Sequence, residues 1–406
     1  MNATPRTFLA AAVGAVVSLA AVGGALPQRV LELPRGPNNP RNSEGDFARL
    51  KDGRILYVYS HYVGTSGSDH AAAHLASRVS HDGGRTWSAT DRVEVENEGG
   101  MNVMSVSLLR LKDGRLALFY LRKNSLRDCR PVMRVSTDEA KTWSKPVVCV
   151  PDAAIGYYVL NNARAIQLSS GRLVLPLCHH PWVEDKKSPG KGWLDMDGEI
   201  TAALSDDGGA TWRMGRQTFR AFLPGNRRVT TQEPGVVELK DGRVFAWMRT
   251  RENVQYCATS SDGAETWSTP VPWNLLSPNS PATVKRLSNG DLVAIWNDMG
   301  AHPEYRDAKS GIPGAEHGGG YFQNGMRAPL TIAVSRNEGR TWHNRRDLEG
   351  DTTGWYCYIA CLEVDDSLLL GYCARDGLCH ARLTRVPLEW LYGPPREDDI
   401  TGFFKD

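Results

Sequence analysis

The 406-residue sequence carries no surplus of either charge: 48 Lys and Arg stand against 46 Asp and Glu, a formal net charge of +2. Proteins that bind nucleic acids or other polyanions build affinity on a basic excess, so that class is excluded. Long apolar runs are equally scarce. The exception, Phe8–Val22, follows Arg6 and precedes Gly23-Gly24-Ala25 and Pro27. It is short for a bilayer span and has the layout of a secretory signal peptide, which predicts a signal over residues 1–25. The mature chain is then expected to be secreted or periplasmic, with no stable membrane insertion once the signal is removed. The eight cysteines form no CxxC pair, which sets aside zinc-ribbon and thioredoxin chemistry. Cys361 and Cys373 flank a predicted turn and are expected to be cross-strand partners. No helical periodicity appears beyond the signal, so helical and α/β classes are excluded as well.

What the sequence has is repetition. One element reads Leu, two polar residues, Gly, often Arg, then an apolar alternation. It occurs at Leu50–Ile55, Leu111–Leu116, Leu168–Leu173, Leu239–Val244 and Leu287–Leu292, with a degenerate sixth copy at Leu362–Leu368. Asp-Gly or Asn-Gly between apolar runs marks a tight hairpin, because those residues tolerate the positive φ of the turn. A second element, Ser-x-Asp-x-Gly-x-Thr-Trp, starts at Ser80, Ser136, Ser205, Ser260 and Ser335; Asn337 replaces the Asp of the last, and Ala140 and Ala264 replace two of the glycines. Its carboxylate is placed to bind turn N–H groups while the Trp plugs into the core. Each repeat reads as strand, hairpin turn, strand, loop, strand, box turn, strand, which is one four-stranded blade. The expectation is an all-β, six-bladed β-propeller over residues 30–395, followed by a tail at 396–406. Ring closure calls for a strand near Val30–Leu33, because no box follows the sixth hairpin and the sequence from Ala381 reads as tail-like. The box aspartates read as structural. His180–Asp197 and Gly300–Gly325, rich in Gly, Pro and charge, read as surface loops able to rim a site.

The inner strand of each blade begins about nine residues before its turn Gly. That offset selects Glu44, Ser105, Asn162, Glu233, Pro281 and, within one residue, Cys357. These positions converge near the axis of a propeller, and polar residues there mark a site. Arg122-Lys123-Asn124, Asn161-Asn162 with Arg164, His179-His180 and Arg251 lie near loop ends and are further subsite candidates. Two adjacent His on a strand point to opposite sides, so no metal is inferred from that pair.

The boxes and the hairpin register, from Asn38 to about Arg385, resemble the sialidase (neuraminidase) superfamily. The resemblance implies a glycoside hydrolase with no metal or cofactor, acting on a terminal sugar of an oligosaccharide or glycoconjugate, and a monomer is expected. Gln232-Glu233-Pro234 with Trp247-Met248-Arg249 resembles the segment whose Glu assists the nucleophile and whose Arg clamps the substrate carboxylate. Arg327, in Met326-Arg327-Ala328-Pro329, resembles the next clamp. Trp355-Tyr356-Cys357-Tyr358 resembles the strand of the Tyr nucleophile; Tyr356 fits the local pattern better, and Tyr358 fits the offset. Asp69, in Gly67-Ser68-Asp69-His70, matches the acid/base Asp, with His70 beside it in the substrate-binding set. The sequence departs from the family at the first clamp: Asn42-Ser43-Glu44 stands where an Arg is expected. Arg41 lies two residues off, on the same side by strand alternation. Glu44 at that place is expected to pair with an Arg or to accept sugar hydroxyls. The functional expectation is therefore an exo-acting, retaining, sialidase-like hydrolase. The alternatives are a propeller glycosidase or polysaccharide lyase for a non-sialic sugar, and a non-catalytic glycan-binding propeller.

Overall fold

A computed structural model describes residues 25–300, 327–351, 354–374 and 379–394. They form six four-stranded antiparallel blades around one axis. Blade 1 runs Asn42–Arg49, Ile55–Tyr62, Ala73–Ser80 and Arg92–Val95. Blade 2 runs Asn102–Arg110, Leu116–Ser125, Asp128–Ser136 and Val147–Val148. In blade 3 the inner strand is split into Tyr158–Val159 and Ile166–Gln167, both paired with Leu173–His179, and Glu199–Ser205 and Arg213–Met214 complete it. Blade 4 comprises Thr231–Glu238, Val244–Thr250, Val254–Ser260 and Val271–Leu276, and blade 5 Thr283–Arg286, Leu292–Trp296, Leu330–Ser335 and His343–Glu349. Blade 6 takes Cys357–Val364, Ser367–Ala374 and His380–Pro387 from the C-terminal end, and its outer strand, Gln28–Leu33, from the N-terminal end. The ring thus closes where the sequence called for a strand.

Three expectations need correction. The tail-like reading from Ala381 fails, since His380–Pro387 is the third strand of blade 6 and a short helix, Leu388–Tyr392, follows it. Within His180–Asp197 the chain forms a hairpin, Trp182–Glu184 with Gly192–Leu194, rather than a bare loop. Cys373 lies opposite Cys357, while Cys361 lies opposite Leu370, and all eight thiols are free. A bulge between Cys357 and Ala360 sets that register. Beyond Gly300, the Gly300–Gly325 segment lies outside the described residues, as do residues 1–24 of the signal expected over 1–25 and the tail at 396–406.

The box turns form as their chemistry dictates. In the first, Asp82 accepts from the backbone N–H groups of Arg85 (3.0 Å) and Thr86 (2.9 Å) and from the Thr86 hydroxyl (2.6 Å). The box tryptophans seal the joints between blades: Trp143 donates to Glu94 of blade 1 at 2.8 Å, and Trp212 meets Phe119 of blade 2 edge-on. All of these lie away from the axis.

At the axis, side chains tie the blades to one another. Asn162 of blade 3 donates to the carbonyls of Gly45 in blade 1 and Tyr358 in blade 6, each at 2.9 Å. Arg164 reaches across to Thr283 and Ala282 of blade 5. Asp46 accepts from the backbone N–H of Leu108 in blade 2 at 2.8 Å. These hydrogen bonds offset much of the cost of burying polar groups at the centre, although Asn162 Oδ1 and Arg164 Nε have no hydrogen-bond partner.

One irregularity recurs. The inner strands of blades 1, 2, 4 and 6 each shift register at the same place, between Ser43 and Asp46, Met104 and Ser107, Gln232 and Gly235, and Cys357 and Ala360. At each shift a non-glycine residue adopts positive φ: Glu44 (48°), Ser105 (60°), Glu233 (45°) and Tyr358 (58°). A bulge puts two residues opposite one and re-aims a side chain. Gly45 and Gly235 serve two of them by leaving room for second-strand rings; a Cβ there would lie 2.5 Å from Tyr57 and 2.2 Å from Trp247. Blade 5 has no such bulge, and Pro281, whose ring holds φ negative, occupies the equivalent position.

Candidate active site

The four bulge residues open into one pocket of about 490 Å³ at the mouth of the axis. Its floor carries Tyr358 and Glu233, whose phenol and carboxylate meet at 3.1 Å. The other Glu233 oxygen receives Arg249 Nη1 at 2.7 Å, and Arg249 Nε is fixed on Asn279 at 2.6 Å. The Arg327 guanidinium lies over the rings of Trp355 (4.2 Å) and Tyr358 (5.2 Å). Burial alone would raise the Glu233 carboxyl, but the Arg249 and Arg327 guanidinium groups outweigh it and hold it below the usual carboxylate range. Burial, with the adjacent Glu233 charge, pushes the Tyr358 phenol well above its ordinary value. The pair is therefore an ionised base hydrogen-bonded to a neutral phenol.

Across the pocket stands Arg41. It is buried, lies over the ring of Tyr62 at 4.6 Å, and holds Asp69 at 2.5 Å and both oxygens of Glu44 at 3.0 Å. Asp69 stands at the rim with its side chain 65% exposed. Burial opposes its ionisation, but Arg41 prevails and keeps the carboxyl below its ordinary value. Glu44 is shifted the other way: burial raises it more than Arg41 lowers it. Lys123 donates to the Asp69 carbonyl at 2.6 Å and lies over the Tyr157 ring. Burial lowers the His180 imidazole below its ordinary value, and its Nδ1 bonds the Asp195 carbonyl at 2.9 Å.

Of the residues singled out in the sequence, Asp69, His70, Glu44, Glu233, Arg249, Arg327 and Tyr358 line this pocket. Three do not. Tyr356 is fully buried in the hydrophobic core between blades 5 and 6, with its ring against Tyr372, and cannot meet a substrate. Asn162 lies beneath the pocket as an axial tie rather than in its wall. Arg122 faces away, and its neighbour Lys123 takes the place, as alternation along a strand requires. The same parity separates His180, in the wall, from His179, stacked on Tyr158. Arg41, two residues from the expected clamp position, does enter the site, so the pocket holds three arginines. Trp355, named in the sequence only as the start of the Tyr356–Tyr358 motif, also lines it, as do Tyr157 and Cys379, which carried no signal in the sequence.

A polar, arginine-walled pocket on the axis of a six-bladed propeller with Asp-box turns defines a class, the sialidase-like propellers. The chain belongs to the BNR repeat-like domain family, whose model matches residues 59–370. Among relatives, a sialidase of Bacteroides fragilis strain YCH46 is 24% identical over 265 residues, covering 64% of this chain and 41% of its own length. An anhydrosialidase of Macrobdella decora is 31% identical over 192 residues, covering 44% and 22%. The chain thus spans less than half the length of these relatives. Among solved structures, the sialidase of Trypanosoma rangeli, captured with 2,3-difluorosialic acid as a covalent intermediate, superposes with a TM-score of 0.63 at 16% identity, covering 90% of this chain and 60% of that one. The same enzyme is also solved with the inhibitor DANA. Among the described residues no His, Cys, Asp and Glu cluster is arranged to hold a metal, and no helix is long and apolar enough to cross a membrane.

Proposed function

We propose that this chain is an exported, exo-acting, sialidase-like glycoside hydrolase that cleaves a terminal acidic sugar with retention of configuration. The observation that carries the reading is the Tyr358–Glu233–Arg249 relay, with Arg327 beside it, on the floor of an axial pocket closed from below by Asn162. A phenol suits attack on an anionic sugar because it is neutral until deprotonated; the Tyr nucleophile is a known departure from two-carboxylate glycosidases. In this reading Glu233 takes the Tyr358 proton as the phenol oxygen bonds to the anomeric carbon. Asp69 gives a proton to the departing glycosidic oxygen, then takes one from the water that releases the sugar from Tyr358. Arg249 and Arg327 hold the substrate carboxylate through charge-assisted hydrogen bonds.

The test is turnover of a fluorogenic sialoside beside a panel of aryl glycosides, with Asp69→Asn and Tyr358→Phe as controls. Intact-mass spectrometry after exposure to 2,3-difluorosialic acid should show one sugar adduct on the wild type and none on Tyr358→Phe. No turnover of any glycoside, or turnover unaffected by both substitutions, would remove the assignment. A second reading, an acidic sugar other than a sialic acid, is favoured by Glu44, which occupies Arg41; turnover within the panel separates the two.

A further inference from the structure

A guanidinium offers five N–H donors, and in Arg41 this chain's own atoms take all five. Nε donates to Ser43 Oγ at 2.9 Å; Nη1 to the Gly67 carbonyl at 3.2 Å and Asp69 Oδ1 at 2.5 Å; Nη2 to both Glu44 oxygens at 3.0 Å. Arg327 differs, since its Nη1 is buried without a hydrogen-bond partner. An anion entering the pocket therefore meets at Arg41 a saturated cation, which binds it only if one of the present acceptors leaves.

The two carboxylates on Arg41 are not equally fixed. Glu44 is buried, also accepts from Ser43 Oγ at 2.5 Å, and is held by the blade 1 bulge. Asp69 is at the rim. Its backbone is fastened, because its carbonyl receives Asn102 Nδ2 at 2.9 Å and Lys123 Nζ at 2.6 Å. Its exposed carboxylate is free to swing about its own side-chain bonds without displacing the loop.

We propose that the substrate carboxylate replaces Asp69 on Arg41, and that this exchange converts Asp69 into the general acid. The inference rests on the sialidase-like reading above. While paired with Arg41, Asp69 is ionised and has no proton to give. Displaced, it loses its closest cation, and a new anion now neutralises that cation. The other groups that face it are Glu44, which disfavours its charge; Lys123 and His70, which favour it; and the phenols of Tyr62 and Tyr157, which are neutral at working pH. With Arg41 engaged by the substrate, Asp69 binds a proton from solvent. That proton passes to the glycosidic oxygen as its bond to the anomeric carbon breaks, and Asp69 is left as the carboxylate the second step needs. A neutral glycoside does not trigger the exchange, so discrimination for acidic sugars lies in the chemistry as well as in the binding.

Calorimetric titration with DANA, in buffers of differing ionisation enthalpy between pH 4.5 and 7, tests this. The wild type should take up protons on binding, approaching about one per ligand at the acidic end, because ligand and proton are linked through one group. Asp69→Asn should bind DANA with that uptake abolished, and Glu44→Gln, if its melting curve shows it folded, should retain it. Binding without uptake in the wild type, or with equal uptake in Asp69→Asn, would overturn the exchange while leaving the sialidase-like reading in place. Absence of DANA binding would overturn both.

Discussion

Replacing Glu233 by Gln isolates the step that the pocket floor is built for. The variant keeps the shape of the side chain and an oxygen for Arg249, so the 2.7 Å contact survives as a neutral-acceptor hydrogen bond. What it loses is the base 3.1 Å from the Tyr358 hydroxyl. A phenol titrates near 10 in water, and burial has moved this one higher. At pH 6 fewer than about one molecule in 10⁴ would carry the phenolate unaided, equivalent to roughly 5 kcal/mol of barrier. General-base assistance contributes about 10²- to 10⁴-fold, which sits within that ceiling. The expected result is a fall in kcat of about 10²- to 10⁴-fold with KM changed far less, measured by steady-state hydrolysis of a fluorogenic sialoside. The pH profile gives a second signature. The variant's rate should climb with pH toward the phenol's own ionisation, where the wild type has levelled. A kcat within tenfold of wild type, in protein whose melting curve shows it folded, would refute Glu233 as the base.

Two further outcomes follow from the axis. Asp46, buried beneath the pocket, is raised to about 6 chiefly by burial, against the opposing pull of Lys285 and two backbone N–H bonds. Between pH 4 and 6 the folded chain keeps a proton that the unfolded chain has released, so this group costs stability as pH rises, by about 3 kcal/mol in all. Denaturant midpoints at pH 4 and 7 should therefore converge with or cross those of Asp46→Asn; parallel shifts in the two proteins would contradict it. Asn162→Ala removes two hydrogen bonds and strands the Gly45 and Tyr358 carbonyls in a buried setting, at about 2–4 kcal/mol. It should also lower kcat, since the Tyr358 backbone loses its tether; an unchanged kcat in the folded variant would show that the tether does not position the phenol.

The blades were legible because their signals are local. Asp-Gly turns and box turns are decided by a few adjacent residues whose φ preferences and short polar side chains leave little choice. The site was legible where the repeat offset could be counted, which placed Glu44 and Glu233 directly. It failed where a count by twos crosses a bulge. Tyr356 and Tyr358 fall on the same face of a regular strand, and the shift between Cys357 and Ala360 sends one ring into the core and the other into the pocket. Arg122 and Lys123 differ by one residue, and nothing in the strand Leu116–Ser125 fixes which of them faces inward until the partner strand sets the register. Trp355 and Tyr157 come from connecting segments that carry no periodicity at all.

The bulges also explain why costly residues stand where cheap ones would serve. A non-glycine residue held at positive φ costs about 1–3 kcal/mol, and glycine would relieve it at Glu44, Ser105, Glu233 and Tyr358 alike. Glycine would equally delete the side chain that each bulge delivers to the pocket. At these four bulges the strain coincides with a functional group leaving the plane of its sheet, beside the axial hydrogen bonds of Asn162, Arg164 and Asp46. Blade 5 is the instructive exception. Pro281 forbids the bulge there, and Arg327 enters instead from the residues just ahead of that blade's third strand, with its carbonyl accepting from Asn297 at 2.7 Å and from the Tyr356 N–H at 2.8 Å. Those bonds tie the Arg327 backbone directly to the segment that leads into the Tyr358 strand, although the two residues come from different blades.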